Sequence, residues 1–283
     1  MKIIGVGLGL IGGSMLLSLR QIEPEFEFLG IDTDANHLAE ALSLEIIDQK
    51  AEEEDFADAD VVIVSVPVDI SPKVIQDILA KVGEKTLVLD TGSTKDHICK
   101  SLASHPKRGQ FLATHPIAGT EFSGPKAAFA KLYTDKTLII SEIEKTRFQL
   151  QQLAIGLFEK MQMKIRYMNP EDHDKHIAYV SHLSHISSFM LGKTVIEKEQ
   201  DQRDIFDLAG SGFASTVRLA KSHPQTWTSI FKDNKKEVLE ALNHYIKNLE
   251  GFQKALQNDE YQLLYSEMNH TNQLKDILKG IQS

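Results

Sequence analysis

The chain has 283 residues, 42% hydrophobic and 25% charged, which is the balance of a folded globular protein long enough for two cores. Its formal charge of −9, from 31 Lys and Arg against 40 Asp and Glu, excludes nucleic acid as the main partner, because phosphate neutralisation needs clustered cations that are absent here. The single cysteine, Cys99, excludes an intrachain disulfide and a multi-cysteine metal site, and reads as structural rather than nucleophilic.

Residues 2–6 enter a strand pattern directly, without the apolar core of a signal peptide. Apolar runs such as 61–64 are far too short for a bilayer, so the chain is read as cytoplasmic. Gly7-Leu8-Gly9-Leu10-Ile11-Gly12 follows the first strand and opens a helical pattern, the context in which such glycine spacing predicts a dinucleotide site. The first glycine permits the tight turn, the second lets the pyrophosphate approach the backbone, and the third allows close helix packing. Free amides and the helix dipole then bind the phosphates.

The second strand, 27–31, ends at Asp32, about 20 residues beyond Gly12, where a carboxylate accepts hydrogen bonds from the adenosine ribose. Thr33-Asp34-Ala35-Asn36-His37 offers no Lys or Arg for a 2′-phosphate, and its carboxylates would repel one, so the cofactor is read as NAD. Ser65, Val66 and Pro67, at the end of the strand pattern over 61–66, form the segment expected along the nicotinamide side.

Further strand patterns at 86–89, 110–113 and 136–140 continue an alternation of short apolar runs with helix-competent stretches, which predicts a parallel sheet with crossover helices. A helix over 143–161 and a short strand over 164–168 close the region at Asn169-Pro170. Strand signals stop at Glu171, and helical segments are expected at 171–200, 211–221, 224–257 and 260–282. The predicted architecture is an α/β Rossmann-type dinucleotide-binding domain over 1–169, followed by an all-α domain over 170–283. The long segment from Pro224 carries Ile230, Leu239, Leu242, Tyr245, Ile246 and Leu249. Their apolar face needs burial, which predicts a homodimer.

Asp90-Thr91-Gly92-Ser93-Thr94-Lys95 follows a strand at the carboxyl edge of the sheet, where ligands of open α/β folds bind, so its polar residues are expected to face the cofactor cleft. His115 follows the next strand, and Ser93 can approach it across one crevice. A histidine of near-neutral pKa can take the proton of a substrate hydroxyl as hydride leaves the same carbon, with a serine orienting the pair. Histidines also stand at 173, 176, 182 and 185. At about 100° per residue on one helix, His173 opposes His182 and His176 opposes His185, so no metal site is expected.

Gly-Leu-Ile-Gly-Gly-Ser at 9–14, Asp-x-Gly-Ser-x-Lys at 90–95, His-Pro-Ile-Ala-Gly-Thr-Glu at 115–121 and Ser-His-Leu-Ser-His at 181–185 together resemble the prephenate dehydrogenases of tyrosine biosynthesis. The resemblance runs through nearly the whole chain. It implies NAD-dependent oxidative decarboxylation of prephenate to 4-hydroxyphenylpyruvate, driven by aromatisation of the ring. It also implies that His115 is the hydrogen-bond acceptor of the ring hydroxyl, with Ser93 as its partner, and that Arg218 binds substrate carboxylate. His185 matches a histidine near the pyruvyl side chain and the product-inhibitor site, and His182 is a weaker substrate-binding candidate. His173-Asp174 matches a helix start, while Glu121 and Trp227 fall on positions at the entrance or the dimer-side wall, Trp227 reading as structural.

Ala214-Ser215 departs from a charged pair carried by some relatives, which bears on substrate gating. Because the chain starts at its first strand and ends at Ser283, neither a preceding chorismate mutase segment nor a following ACT domain is expected, and tyrosine inhibition is expected to act through the active site itself. The sister activity on arogenate is the nearest alternative, with prephenate favoured by His185 and the NAD-type pocket. Hydroxyacid dehydrogenases and imine reductases are disfavoured by the pairing of Ser93 with His115, and a non-catalytic NAD-binding regulator is the remaining alternative.

Overall fold

The structure, a computed structural model, describes residues 1–201 and 204–281. The expected helix end at Gln282 lies outside the described residues. Eight strands form one sheet: β1 Lys2–Val6, β2 Glu27–Ile31, β3 Gln49–Lys50, β4 Val61–Val64, β5 Leu87–Asp90, β6 Phe111–Pro116, β7 Thr137–Ser141 and β8 Lys164–Tyr167. Their order is β3-β2-β1-β4-β5-β6-β7-β8. The direction of winding reverses between β1 and β4, which opens a crevice at their carboxyl ends, beside Gly7 on one strand and Ser65 on the other.

The strands that form the middle of the sheet are apolar on both faces because helices cover both. Alternate residues divide between two cores: Ile3, Val61 and Ile63 pack with Leu16 and Leu19 of α1 (Leu10–Ile22) and with Leu150 and Leu157. Ile4, Val62 and Val64 pack with Ile75, Ile78, Ile98 and Leu102 on the other side. Each such side chain contributes roughly 1.5–3 kcal/mol on full burial. Helices α2 (Ala35–Ser43), α3 (Ser71–Lys81), α4 (Asp96–Leu102) and α5 (Phe148–Lys160) complete the layers.

One strand departs from the expected parallel sheet. β7 pairs antiparallel with β6, placing Thr114 opposite Ile140 and His115 opposite Ile139. The β6–β7 connection carries only a 3₁₀ turn at Pro125–Ala127, with no helix to return the chain to the opposite edge, and a strand entered from the edge just left must run back. β3, only two residues long, has no apolar period from which it could be anticipated.

The described residues after β8 are mostly helical: α6 (Pro170–Ile177), α7 (Leu183–Asp201), α8 (Ser211–Thr216), α9 (Pro224–Asp233), α10 (Lys235–Gln257), α11 (Tyr261–Thr271) and α12 (Leu274–Ile281). The expected helix over 171–200 is interrupted by a π segment at Ala178–His182, and the one over 224–257 breaks at Asn234, at φ −98° and ψ 31°. By compactness the chain divides into two units, Met1–Lys235 and Lys236–Ser283. In the second, Ala255 and Leu264 are buried, whereas Leu239, Ile246 and Leu249 are exposed on the single chain. Among the described residues no helix is long and apolar enough to cross a membrane.

Candidate active site

The glycine loop has the shape a dinucleotide needs. Gly7 sits at φ +88°, and a Cβ there would lie 2.5 Å from the Ser65 carbonyl oxygen. A Cβ on Gly12 would stand 2.0 Å from the Gly7 carbonyl oxygen and 3.0 Å from Ser65 Cβ, so this glycine is what lets α1 meet the turn. Gly9 differs from both: it is the N-cap of α1, and a Cβ there would meet nothing within 4 Å. The backbone at Gly9 therefore borders open space. No side chain caps α1 and no acid occupies its first turn, which leaves the amides around Leu10 and Ile11 available to an anion.

Asp32, just past β2, is tied to this loop. Its Oδ2 accepts the Leu8 N–H at 2.8 Å and its Oδ1 accepts the Asp34 N–H at 2.9 Å. Each carboxylate oxygen keeps a lone pair for a ribose hydroxyl. His37 Nδ1 lies 3.6 Å from Asp32 Oδ2. On the other side of the crevice Ser65 Oγ accepts from Thr91 Oγ1 at 2.9 Å, which ties Ser65-Val66-Pro67 to the end of β5. Loop, free amides and ribose carboxylate together fit NAD.

His115, at the carboxyl end of β6, is 8% exposed. Its Nδ1 lies 2.8 Å from Nε2 of His173, and Nδ1 of His173 lies 2.7 Å from Oδ1 of Asp174. The same carboxylate accepts backbone N–H groups at the start of α4, from Lys95 at 2.7 Å and Asp96 at 2.9 Å. Local sequence puts His173 and Asp174 there: Asn169 caps α6 through the Glu171 N–H at 2.8 Å, and Pro170 starts the helix. Burial, and after it the neighbouring His173, Lys95 and His182, hold the His115 pKa well below the usual range for histidine. At neutral pH the ring is uncharged, with a nitrogen lone pair open to a hydrogen-bond donor; its pKa lies below the near-neutral value expected of this histidine from the sequence.

The partner at Nδ1 of His115 is therefore His173 and not Ser93. Ser93 sits on the half-buried loop between β5 and α4, alongside β6. That loop is fixed by Asp90, whose Oδ1 accepts the Thr114 N–H at 3.0 Å and whose Oδ2 accepts the Gly92 N–H at 2.9 Å. Asp90 also pairs with the Lys95 ammonium. Asp90 and Lys95 turn inward and are almost wholly buried, a correction to the expectation that the polar residues of this motif face the cleft. Buried charges must be paired, and these two satisfy each other while holding the strand end that carries His115.

The uniform-helix geometry that set His173 opposite His182 does not hold, because the wider turn of the π segment breaks the phase. His182 is fully buried, and its Nδ1 lies 3.3 Å from the Asn234 amide, which donates to the Asp174 carbonyl at 2.7 Å. The break at Asn234 thus places an amide between two elements of the site. Burial pushes His182 down to about 4. His185 stacks on Trp227 at 3.4 Å between ring centres, with its Nδ1 3.0 Å from the Ser181 carbonyl oxygen, so Trp227 forms a wall against this histidine. Arg218 Nη1 donates to Glu121 Oε2 at 3.0 Å. A backbone hydrogen bond and this guanidinium hold Glu121 below the usual carboxylate range. Burial and the Arg218 charge lower His185 as well. Among the described residues no group of three or more His, Cys, Asp and Glu could hold a metal ion.

His173 as a ring partner, Asp174 and Asn234 are absent from the sequence-derived site. The one local signal was a His-Asp pair just inside a capped helix; nothing local links it to a strand 58 positions earlier.

A family model described as prephenate dehydrogenase, nucleotide-binding domain, matches residues 16–167, and one described as prephenate dehydrogenase, dimerization domain, matches residues 169–270. The prephenate dehydrogenase of Lactococcus lactis subsp. cremoris is 30% identical over 292 residues, covering 99% of this chain and 78% of that protein. The cyclohexadienyl dehydrogenase of Zymomonas mobilis is 27% identical over 277 residues, covering 97% and 94%. Among solved structures, prephenate dehydrogenase from A. aeolicus in complex with hydroxyphenyl propionate and NAD+ superposes with a TM-score of 0.89 at 30% identity, covering 98% of each chain. These proteins are dehydrogenases by name, and nothing in the comparisons supports a non-catalytic regulator.

Proposed function

This chain belongs to the prephenate dehydrogenase family and is an NAD-dependent oxidoreductase, and from that premise we propose that it oxidises and decarboxylates prephenate to 4-hydroxyphenylpyruvate. The observation that carries this reading is the state of His115: an uncharged ring at the carboxyl edge of the sheet whose Nδ1 is engaged, leaving Nε2 as the nitrogen for a ligand. Bound NAD supplies the hydride acceptor. His115 Nε2 takes the hydroxyl proton as the carbonyl forms, and returns it to the phenolate oxygen once the ring carboxylate has left as carbon dioxide, so no net proton is released. Ser93, on the adjoining loop, orients the hydroxyl. The Arg218 guanidinium binds a substrate carboxylate, with Glu121 steadying it, and His182, His185 and Trp227 wall the side-chain pocket.

A second reading, arogenate as the better substrate, is favoured by one contact. The Ser181 carbonyl can only accept, so Nδ1 of His185 carries the proton and, in the uncharged ring, Nε2 is bare. A bare nitrogen suits the ammonium of arogenate better than the ketone of prephenate.

In the proposed organisation residues 1–169 hold NAD and 170–283 bind substrate and dimerise, in keeping with the extents of the two family models. Exposed Leu239, Ile246 and Leu249, spaced along one stripe of α10, support a homodimer that covers them. The reaction uses freely diffusing metabolites, in keeping with a cytoplasmic enzyme. Tyrosine shares the phenol and a carboxylate with the product and is proposed to compete at Arg218 and His185. NADH formation with prephenate and arogenate in parallel, with and without tyrosine, tests these readings: turnover of neither substrate overturns the activity, and turnover of arogenate alone selects the second reading.

A further inference from the structure

Two buried side chains complete the surroundings of His115. A carboxylate only accepts hydrogen bonds, and Asp174 is held as one by the N–H groups of Lys95 and Asp96. The proton in the contact of 2.7 Å between Asp174 Oδ1 and His173 therefore sits on His173 Nδ1. An uncharged His173 with a protonated Nδ1 has a bare Nε2, and this is the nitrogen 2.8 Å from Nδ1 of His115. The proton between the rings then belongs to His115 Nδ1. With both rings uncharged, only one of the two tautomers of His115 satisfies the chain, and in that tautomer Nε2 is bare.

We propose that His173 and Asp174 are positioning residues that set the tautomer of His115, keeping its Nε2 free of hydrogen and aimed as a proton acceptor. The inference deepens the proposed function and rests on His115 as the acceptor of the hydroxyl proton. It also accounts for two otherwise isolated features. A charged residue is buried on α6 because its negative charge is needed behind a ring, and its carboxylate spans the start of α4 because a side chain that must fix a tautomer has to be immobile itself. The arrangement works as in a Ser-His-Asp triad, where the carboxylate orients an imidazole and selects its protonated nitrogen. Here a second imidazole stands between carboxylate and base.

The first test needs no substrate. Nitrogen NMR of the free protein labelled at the histidine rings, with His115 assigned by its loss in His115→Asn, is expected to show a protonated Nδ1 and a bare Nε2. A protonated Nε2 on His115 overturns the inference. Failure to turn over either prephenate or arogenate would instead overturn the proposed function and leave this measurement standing.

The second test is Asp174→Asn, whose amide can donate where the carboxylate accepted. The expected result is movement of His115 toward the Nε2-protonated tautomer and a fall in kcat of at least about tenfold. The KM for prephenate is expected to stay within about threefold, because no substrate contact is lost. An unchanged kcat overturns the inference. If that variant does not fold, His173→Gln and His173→Leu carry the test. The glutamine oxygen can accept the His115 Nδ1 proton and leucine cannot, so kcat for His173→Gln is expected to exceed that of His173→Leu, and equal values overturn the inference.

Discussion

Arg218 and Glu121 meet at a single point, Nη1 to Oε2 at 3.0 Å, with the arginine side chain 52% exposed and the glutamate 18%. A guanidinium has five donors in a planar fork, so one contact steadies it and leaves the rest for a carboxylate. Arg218→Ala is expected to raise the KM for prephenate by about tenfold or more, the loss of a charge-assisted hydrogen bond worth roughly 1.5–3 kcal/mol, with kcat changed far less. Arg218→Lys should recover only part, since an ammonium cannot bind bidentately. Steady-state kinetics decide the matter, and a loss confined to kcat would place Arg218 elsewhere in the mechanism.

His115→Asn removes the proton acceptor while leaving a polar side chain at the end of β6. NADH formation at saturating prephenate is expected to fall by about 100-fold or more, the range of general-base contributions, with KM little altered. Undiminished NADH production from this variant would refute His115 as the base.

Asp32 joins the Leu8 and Asp34 amides in one carboxylate, and a ribose diol is expected to share it. Asp32→Ala should weaken NAD binding by about tenfold in calorimetric titration, in line with a net loss of about 1–2 kcal/mol. Affinity equal to that of the unsubstituted protein would exclude the ribose contact.

The glycine loop allows a sharper contrast. A Cβ on Gly12 meets the Gly7 carbonyl oxygen at 2.0 Å, whereas one on Gly9 meets nothing within 4 Å. Gly12→Ala should therefore lower Tm and abolish NAD binding together, through displacement of α1. Gly9→Ala should leave Tm close to that of the unsubstituted protein and still weaken NAD, because its methyl group enters the space a pyrophosphate needs. A melting series with and without NAD separates the two. A Gly9→Ala variant that binds NAD normally would remove the phosphates from that position.

The parts of the site that were legible in the sequence are those that act locally. The turn at Gly7, the packing at Gly12 and the strand end at Asp32 each depend on a few consecutive residues and a period-two or period-3.6 pattern. The candidate role of His115 was legible from its place beside a dinucleotide loop, before Pro116 in a Gly-rich segment, and from the family resemblance of that segment. The supporting network was not. His173, Asp174 and Asn234 reach His115 and His182 through the packing of α6 and α9, and no local spacing encodes which helix face meets the sheet. The π segment at Ala178–His182 compounds this, since a helical wheel drawn at constant pitch puts His173 and His182 on opposite sides. Strand direction is invisible for the same reason: β7 has the composition of its neighbours, and only the course of the connection from β6 reverses it.

Burial of uncharged histidines should make the fold acid-sensitive. His182 goes from an ordinary 6.5 to about 4, and His115 is lowered in the same direction, both chiefly by desolvation. Between the folded and unfolded values the unfolded chain binds more protons, so stability rises with pH across that window and falls as pH drops through it. The loss begins near pH 6.5, where the unfolded ring starts to charge, and for His182 is complete below about 4, where the folded ring is charged too. A displacement of that size corresponds to something on the order of 3 kcal/mol for His182 alone. Chemical denaturation followed from pH 7 to pH 4 should show the decline. His182→Asn offers an amide oxygen to the Asn234 amide at the position of Nδ1 but does not titrate, and is expected to flatten the slope over the lower part of the window. A slope identical to that of the unsubstituted protein would mean that His182 does not remain uncharged through that range, and would return the acid sensitivity to His115 and the carboxylates.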